Sequence, residues 1–152
     1  MTGEPCFVDS NVPMYAAGDE HPMKAPCLAF LQVVARGEVQ AVTSVEVLQE
    51  LLHRYTAMGK RRRAVDVAKT FMDVVPDVLP VARADIAAAF ELHLQHPALP
   101  TRDVMHLATM SRYGLKIIVT ADQHFDGVDG IRRVDPADWS QLLAAQRPAS
   151  LS

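Results

Sequence analysis

Asp9, Glu50, Asp103 and Asp122 are scattered over most of a 152-residue chain, yet each lies just after or just inside an apolar segment whose end could face a common mouth. Converging carboxylates need a counter-charge, because two of them about 4 Å apart at an effective dielectric of about 20 repel by roughly 4 kcal/mol. The natural partner is a hard divalent cation, Mg2+ or Mn2+, which takes oxygen ligands and keeps positions open for water and phosphate. Each acid also has a plainer reading by itself. Asp9 could cap the turn after a strand, Asp103 could offset a helix dipole, and Asp122 and Asp126 could be turn acids. Their joint placement favours the metal site. Asp126, in Asp-Gln-His-Phe-Asp, is a candidate outer ligand. Glu46 and Glu50 stand one helical turn apart and share a face, so local spacing leaves open which of them reaches the mouth.

The elements that must position these acids alternate between strand and helix. Residues 5–9 form a buried strand ending on Asp9, with Ser10, Asn11 and Pro13 as turn or cap residues behind it. A helix over 21–37 carries Cys27, Leu28, Leu31 and Val34 on one stripe and is stopped by Gly37. A strand at 39–43 runs through a capping box, Thr43-Ser44-Val45-Glu46, into a helix over 45–57 with Val45, Leu48, Leu52 and Tyr55 aligned. Beyond Gly59 come a helix over 60–75 and a strand at 78–81 whose Pro80 prefers a sheet edge. A helix over 84–95 follows, with Ile86, Phe90 and Leu94 in register. Thr101 is read as the cap of the next helix, which ends at Gly114 and feeds a strand at 116–120. An apolar stretch at 131–134 precedes Asp135-Pro136, which opens a terminal helix holding Trp139, Leu142 and Leu143. This alternation implies a mostly parallel sheet covered on both faces, with ligands beyond the carboxyl ends of its strands. Asp9 and Asp122 belong at that edge, while Glu50 and Asp103 must arrive from helices leaning over it.

Length allows one core, read as a single domain over 1–145 with a tail at 146–152. There is no uncharged apolar run of about 18 residues to cross a bilayer and no basic-then-apolar leader, so a cytoplasmic protein is expected. Cys6 and Cys27 lack metal or redox spacing and read as reduced packing residues, with Met58, Met72, Met105 and Met110 as core filler. The net charge of −3 excludes coating of nucleic acid by bulk attraction, but setting the four acids aside leaves a net +1, which tolerates a phosphate substrate once metal masks them. Arg61, Arg62 and Arg63, after Lys60, could meet an RNA backbone or simply be a solvated helix start, and His53 and Arg54, beyond Glu50 on the same helix, are candidates to touch substrate or simply to be exposed. His106 and His124, near the acids but without zinc-like spacing, are read as structural.

At Phe7-Val8-Asp9-Ser10-Asn11, Thr43-Ser44 through Leu48-Gln49-Glu50-Leu51, Arg102-Asp103 through Leu107-Ala108, and Val119-Thr120-Ala121-Asp122-Gln123-His124-Phe125, the chain resembles a PIN domain of the VapC type, the toxin ribonuclease of bacterial toxin-antitoxin pairs. The resemblance runs from Phe7 to about Pro136. It implies a three-layer α/β/α sandwich and a metal-dependent endoribonuclease in which Asp9, Glu50, Asp103 and Asp122 are the metal-binding acids. It also implies an RNA substrate, an antitoxin partner, self-association, and products carrying 5′-phosphate and 3′-hydroxyl ends. Ser10, Asn11 and Thr120 are candidate donors that orient the carboxylates.

Two other readings compete. Phe-Val-Asp9-Ser-Asn11 and Asp122-x-x-x-Asp126 also resemble the nucleophile strand and metal motif of haloacid dehalogenase-like phosphatases, with Asp9 as nucleophile. That reading finds Asn11 where most of those enzymes carry an aspartate, and gives Glu50 and Asp103 no work. The third reading is a catalytically silent module that binds RNA or protein.

Overall fold

The computed structural model describes residues 3–146. Five strands, β1 (Cys6–Val8), β2 (Ala41–Ser44), β3 (Val78–Leu79), β4 (Ile117–Val119) and β5 (Arg132–Val134), form one sheet in the order β3-β2-β1-β4-β5. Every pairing is parallel, with Phe7 opposite both Val42 and Ile118. The central strands are apolar on both faces because both faces are covered: Cys6, Phe7, Val8, Ile118 and Val119 are fully buried.

Helices α1 (Asn11–Ala17) and α2 (Lys24–Ala35) link β1 to β2, and α3 (Val45–Ala57) and α4 (Arg61–Val74) link β2 to β3. Both crossovers run the same way across the sheet, and α1, α2 and α4 touch one another. The chain then turns back through α5 (Arg83–Gln95) and α6 (Thr101–Arg112), which pack as a pair, and re-enters the sheet on the other side of β1. Right-handed crossovers in opposite directions place these two groups of helices on opposite faces, giving the three-layer α/β/α sandwich. The boundary between β1 and β4 is where the connections reverse, the place such sheets offer to ligands. Asp9 and Thr120 are the residues that follow β1 and β4 there, joined by Asp9 N–H donating to the Val119 carbonyl at 3.1 Å.

Several local expectations change. Asn11 and Pro13 are not turn residues but open α1; proline is tolerated in a first turn, where its missing N–H has no helical acceptor. α2 buries Cys27, Phe30, Val33 and Val34 and leaves Leu28 exposed. α3 likewise presents Val47, Glu50, Leu51 and Tyr55 inward and leaves Val45 and Leu52 exposed. No capping box starts at Thr43: Ser44 is the cap, accepting from Val47 N–H at 3.3 Å, while the Thr43 hydroxyl donates to the Val8 carbonyl. Thr101 does not cap α6, because Pro100 occupies that position. Pro80 directly follows β3, which is an edge strand as the proline required.

α5 departs furthest from its periodicity. Ile86, Phe90 and Leu94 face outward, Phe90 at 65% and Leu94 at 80% exposure, while Asp85 and Ala89 face inward. Asp85 fixes this rotation by accepting from Ala82 N–H at 2.7 Å and from Arg112 of α6 at 3.1 Å. Met105 and Met110 are core residues, but Met58 and Met72 are exposed. Cys6 and Cys27 are free and buried, each thiol pushed up to about 12 chiefly by burial. The stretch before Asp135 is a true fifth strand. Pro136–Asp138 forms only a short 3-10 turn, and the last helix, α7, spans Ser140–Gln146 with Leu142 buried. Beyond Gln146, the expected tail lies outside the described residues.

Candidate metal centre

Asp9 is held where β1 ends by two close donors, Ser10 N–H and the Thr120 hydroxyl. Its Oδ1 accepts from Ser10 N–H at 2.7 Å and lies 3.5 Å from the Ser10 hydroxyl, and its Oδ2 accepts from the Thr120 hydroxyl at 2.9 Å. Thr120 Oγ1 also accepts from Asn11 Nδ2 at 2.8 Å and from Asp122 N–H at 3.0 Å, while Asn11 Oδ1 accepts from Ala121 N–H. One hydroxyl thus ties the end of β1 to the loop after β4. Ser10 and Thr120 donate to the Asp9 carboxylate, and Asn11 reaches it only through the Thr120 hydroxyl.

Asp103, in the first turn of α6, and Asp122, in that loop, come together with His124. The imidazole Nδ1 is 2.8 Å from Asp122 Oδ1 and 3.8 Å from Asp103 Oδ2. Asp122 Oδ1 also accepts from His124 N–H at 2.9 Å, which fixes the loop. Asp103 is buried, and its Oδ2 has no hydrogen-bond partner among the described residues. Burial, with the charges of Asp9 and Asp122 adding to it against His106 and Arg102, pushes its carboxyl up to about 7.

Glu50 reaches the same edge because α3, besides packing on α4, extends to α6. Its Oε2 pairs with Arg102 at 2.9 Å and its Oε1 lies 3.6 Å from His106 Nε2, which is 3.5 Å from Asp9 Oδ1. Burial alone would raise Glu50, but His106, Ser10 and Arg102 together outweigh it and hold the carboxyl below the ordinary range. His106 is fully buried; burial disfavours its charge, yet Glu50, Asp9 and Asp103 hold its pKa above the ordinary value. Of the two acids that spacing left open, Glu50 is the one buried at the centre, whereas Glu46 is half-buried in the first turn of α3.

The acids therefore form two adjoining triads, Asp9–Glu50–His106 and Asp103–Asp122–His124. Sequence reasoning placed His106 and His124 near the acids but read them as structural, and it gave Arg102 no role of its own. The clue to the first was its place three residues after Asp103 on the same helix face, and Arg102 directly precedes that acid. Asp126 is not part of the cluster: it is exposed and engaged by Arg133 through contacts of 2.8 and 3.3 Å, which lower its pKa. Arg54, Arg61, Arg62 and Arg63 are exposed on α3 and α4, with Arg62 paired to Asp66 at 3.5 Å and Arg63 donating to the Ala17 carbonyl.

The donor set fits a divalent cation. Buried Glu50 Oε1, Asp103 Oδ2 and both His106 nitrogens lack hydrogen-bond partners, a cost that folded proteins rarely leave uncompensated. The elevated Asp103 pKa reports first its burial and then the neighbouring charges of Asp9 and Asp122.

A parallel α/β/α sandwich with a carboxylate centre at its switch point defines the class. The PIN domain family model matches residues 6–131, and the chain belongs to that family, in its VapC branch. Ribonuclease VapC13 of Mycobacterium tuberculosis is 39% identical over 129 residues, covering 84% of this chain and 98% of the relative. Ribonuclease VapC23 of the same species is 42% identical over 116 residues, covering 76% and 91%. Among solved structures, VapC20 of M. tuberculosis, described as a sarcin-ricin loop cleaving toxin, superimposes with a TM-score of 0.66 at 20% identity over 84% of this chain and 98% of its own. VapBC2 from Rickettsia felis, bound to a DNA fragment from its promoter, gives 0.68 at 15% identity over 86% and 98%. These structural likenesses speak to the fold alone.

Proposed function

We propose that the chain is a metal-dependent endoribonuclease, the toxin of a type II toxin-antitoxin pair. The observation that carries this is the pair of adjoining acid–histidine triads, with the buried Asp103 Oδ2 left without a hydrogen-bond partner among the described residues, at the sheet's switch point. Asp9, Glu50, Asp103 and Asp122 hold Mg2+ or Mn2+; Ser10 and Thr120 fix the Asp9 carboxylate, while Asn11 and Thr120 hold the backbone of the loop that carries Asp122. The cation, when bound, supplies a water of lowered pKa and offsets charge on the phosphate. Arg102 braces Glu50 from the solvent side, and the Thr120 hydroxyl ties the Asp9 carboxylate to the Asp122 backbone, which limits how far these acids must move on ion binding. Hydrolysis by in-line attack leaves 5′-phosphate and 3′-hydroxyl ends.

The names of the curated relatives, ribonucleases all, support an RNA substrate, and neighbours solved as toxin-antitoxin complexes support an antitoxin partner. The outward stripe Ile86, Phe90 and Leu94 supports self-association through α5. Among the described residues no helix is long and apolar enough to cross a membrane, and an RNA substrate suits the cytoplasm. The phosphatase reading loses its motif, since Asp126 is occupied by Arg133 while Glu50 and Asp103, idle in that reading, both lie in the centre.

The test is cleavage of cellular RNA by purified, antitoxin-free protein with Mg2+, compared with Asp9→Asn and Glu50→Gln variants. Cleavage that stops with EDTA and in both variants is expected. RNA binding without turnover would leave only the silent module, and cleavage indifferent to Glu50 would refute the site.

A further inference from the structure

His106 is the one fully buried histidine among the described residues, and its surroundings do not explain it as a hydrogen-bonded core residue. Its Nε2 lies 3.5 Å from Asp9 Oδ1 and 3.6 Å from Glu50 Oε1, and neither ring nitrogen has a hydrogen-bond partner. N–H···O hydrogen bonds run to about 3.2 Å, so both separations are too long. They suit another arrangement. Two ligands on one ion, with bonds of about 2.1 Å, stand about 3.0 Å apart at octahedral angles and about 3.4 Å at tetrahedral ones, so a small contraction would close all three atoms around a cation. The ring cannot turn away to water: it packs on Phe7 of β1 with centroids 5.4 Å apart. Without an ion the surrounding acids favour a proton on this ring; a cation bound between them would displace the Nε2 proton and take its lone pair.

We infer that His106 is a direct nitrogen ligand, with Asp9 and Glu50, of a divalent cation, and that it biases this position toward a transition ion such as Mn2+ over Mg2+. The inference rests on the metal-centre reading above and assigns it a mixed donor set. Imidazole favours transition ions, whereas Mg2+ prefers carboxylate and water oxygens. His124 is the competing nitrogen, but its Nδ1 is already engaged at hydrogen-bond distance by Asp122 and its side chain is 53% exposed.

The experiment is pulsed EPR on Mn2+ added to the metal-free full chain, with competition by Mg2+, for the wild type, His106→Gln and His124→Gln. Nitrogen modulation of the Mn2+ signal is expected in the wild type and in His124→Gln, and its loss in His106→Gln. Mn2+ affinity should fall at least about tenfold in His106→Gln, the lower bound for losing even an indirect partner of a metal ligand, with a smaller loss for Mg2+. Bound Mn2+ without nitrogen modulation, or modulation abolished by His124→Gln, would overturn the assignment while leaving the carboxylate centre standing. A wild type that binds no Mn2+ at all would remove the centre itself. Should His106→Gln fail to fold, the wild-type and His124→Gln spectra decide the matter between them.

Discussion

Asp103→Asn should stabilise the metal-free protein above neutral pH while abolishing the centre. The folded protein holds the Asp103 proton more tightly than the unfolded chain does, at about 7 against an ordinary 3.8. The unfolded chain therefore releases its proton first as pH rises, so stability falls between about pH 4 and pH 7 and stays reduced above that window. At about 1.36 kcal/mol per pH unit the difference gives a ceiling of about 4 kcal/mol. Water at the mouth and adjustment of Asp9 should bring it nearer to about 2 kcal/mol, in keeping with the high effective dielectric of such sites. Asparagine keeps the shape of the side chain and removes the charge, so it escapes this loss. Urea unfolding in EDTA should show the variant and wild type alike at about pH 3.5 and the variant more stable by about 2 kcal/mol at about pH 8. Added Mn2+ should then stabilise the wild type and not the variant, since an ion bound only to the folded state adds to its stability. A variant no more stable than wild type at pH 8 without metal would refute the reasoning, because Asp103 would then carry no unneutralised charge.

Three further outcomes are expected. Thr120→Val keeps volume but removes the hydroxyl joining Asp9, Asn11 and Asp122, and should lower metal affinity, measured by calorimetry, about 10- to 100-fold. Asp126→Asn removes an exposed carboxylate paired with Arg133 and should leave the thermal midpoint and the metal affinity close to those of the wild type. Phe30→Ala, deep in the core and on α2, should destabilise by about 3 to 5 kcal/mol without altering which cation is preferred, as read by chemical denaturation and metal titration.

The sequence by itself determined the type and order of most elements and the acids that matter. Apolar runs such as 117–119 can only be buried strands, Gly114 at a positive φ of 68° marks where α6 must stop, and the alternation of strands and helices dictates a parallel sheet. Asp9 was legible because it terminates a strand, and Thr120 because it terminates the strand beside it. Tertiary structure decided which face of each helix turns inward, and periodicity pointed the wrong way where a polar anchor outvoted it: Asp85, tied to Arg112, rotates α5 so that Phe90 and Leu94 meet solvent. It also chose Glu50 over Glu46, because α3 touches α6, and recruited His106, His124 and Arg102 to the acids. Periodicity records how much of a helix is apolar, whereas the charge partners that set its rotation lie tens of residues away and become neighbours only when the layers pack.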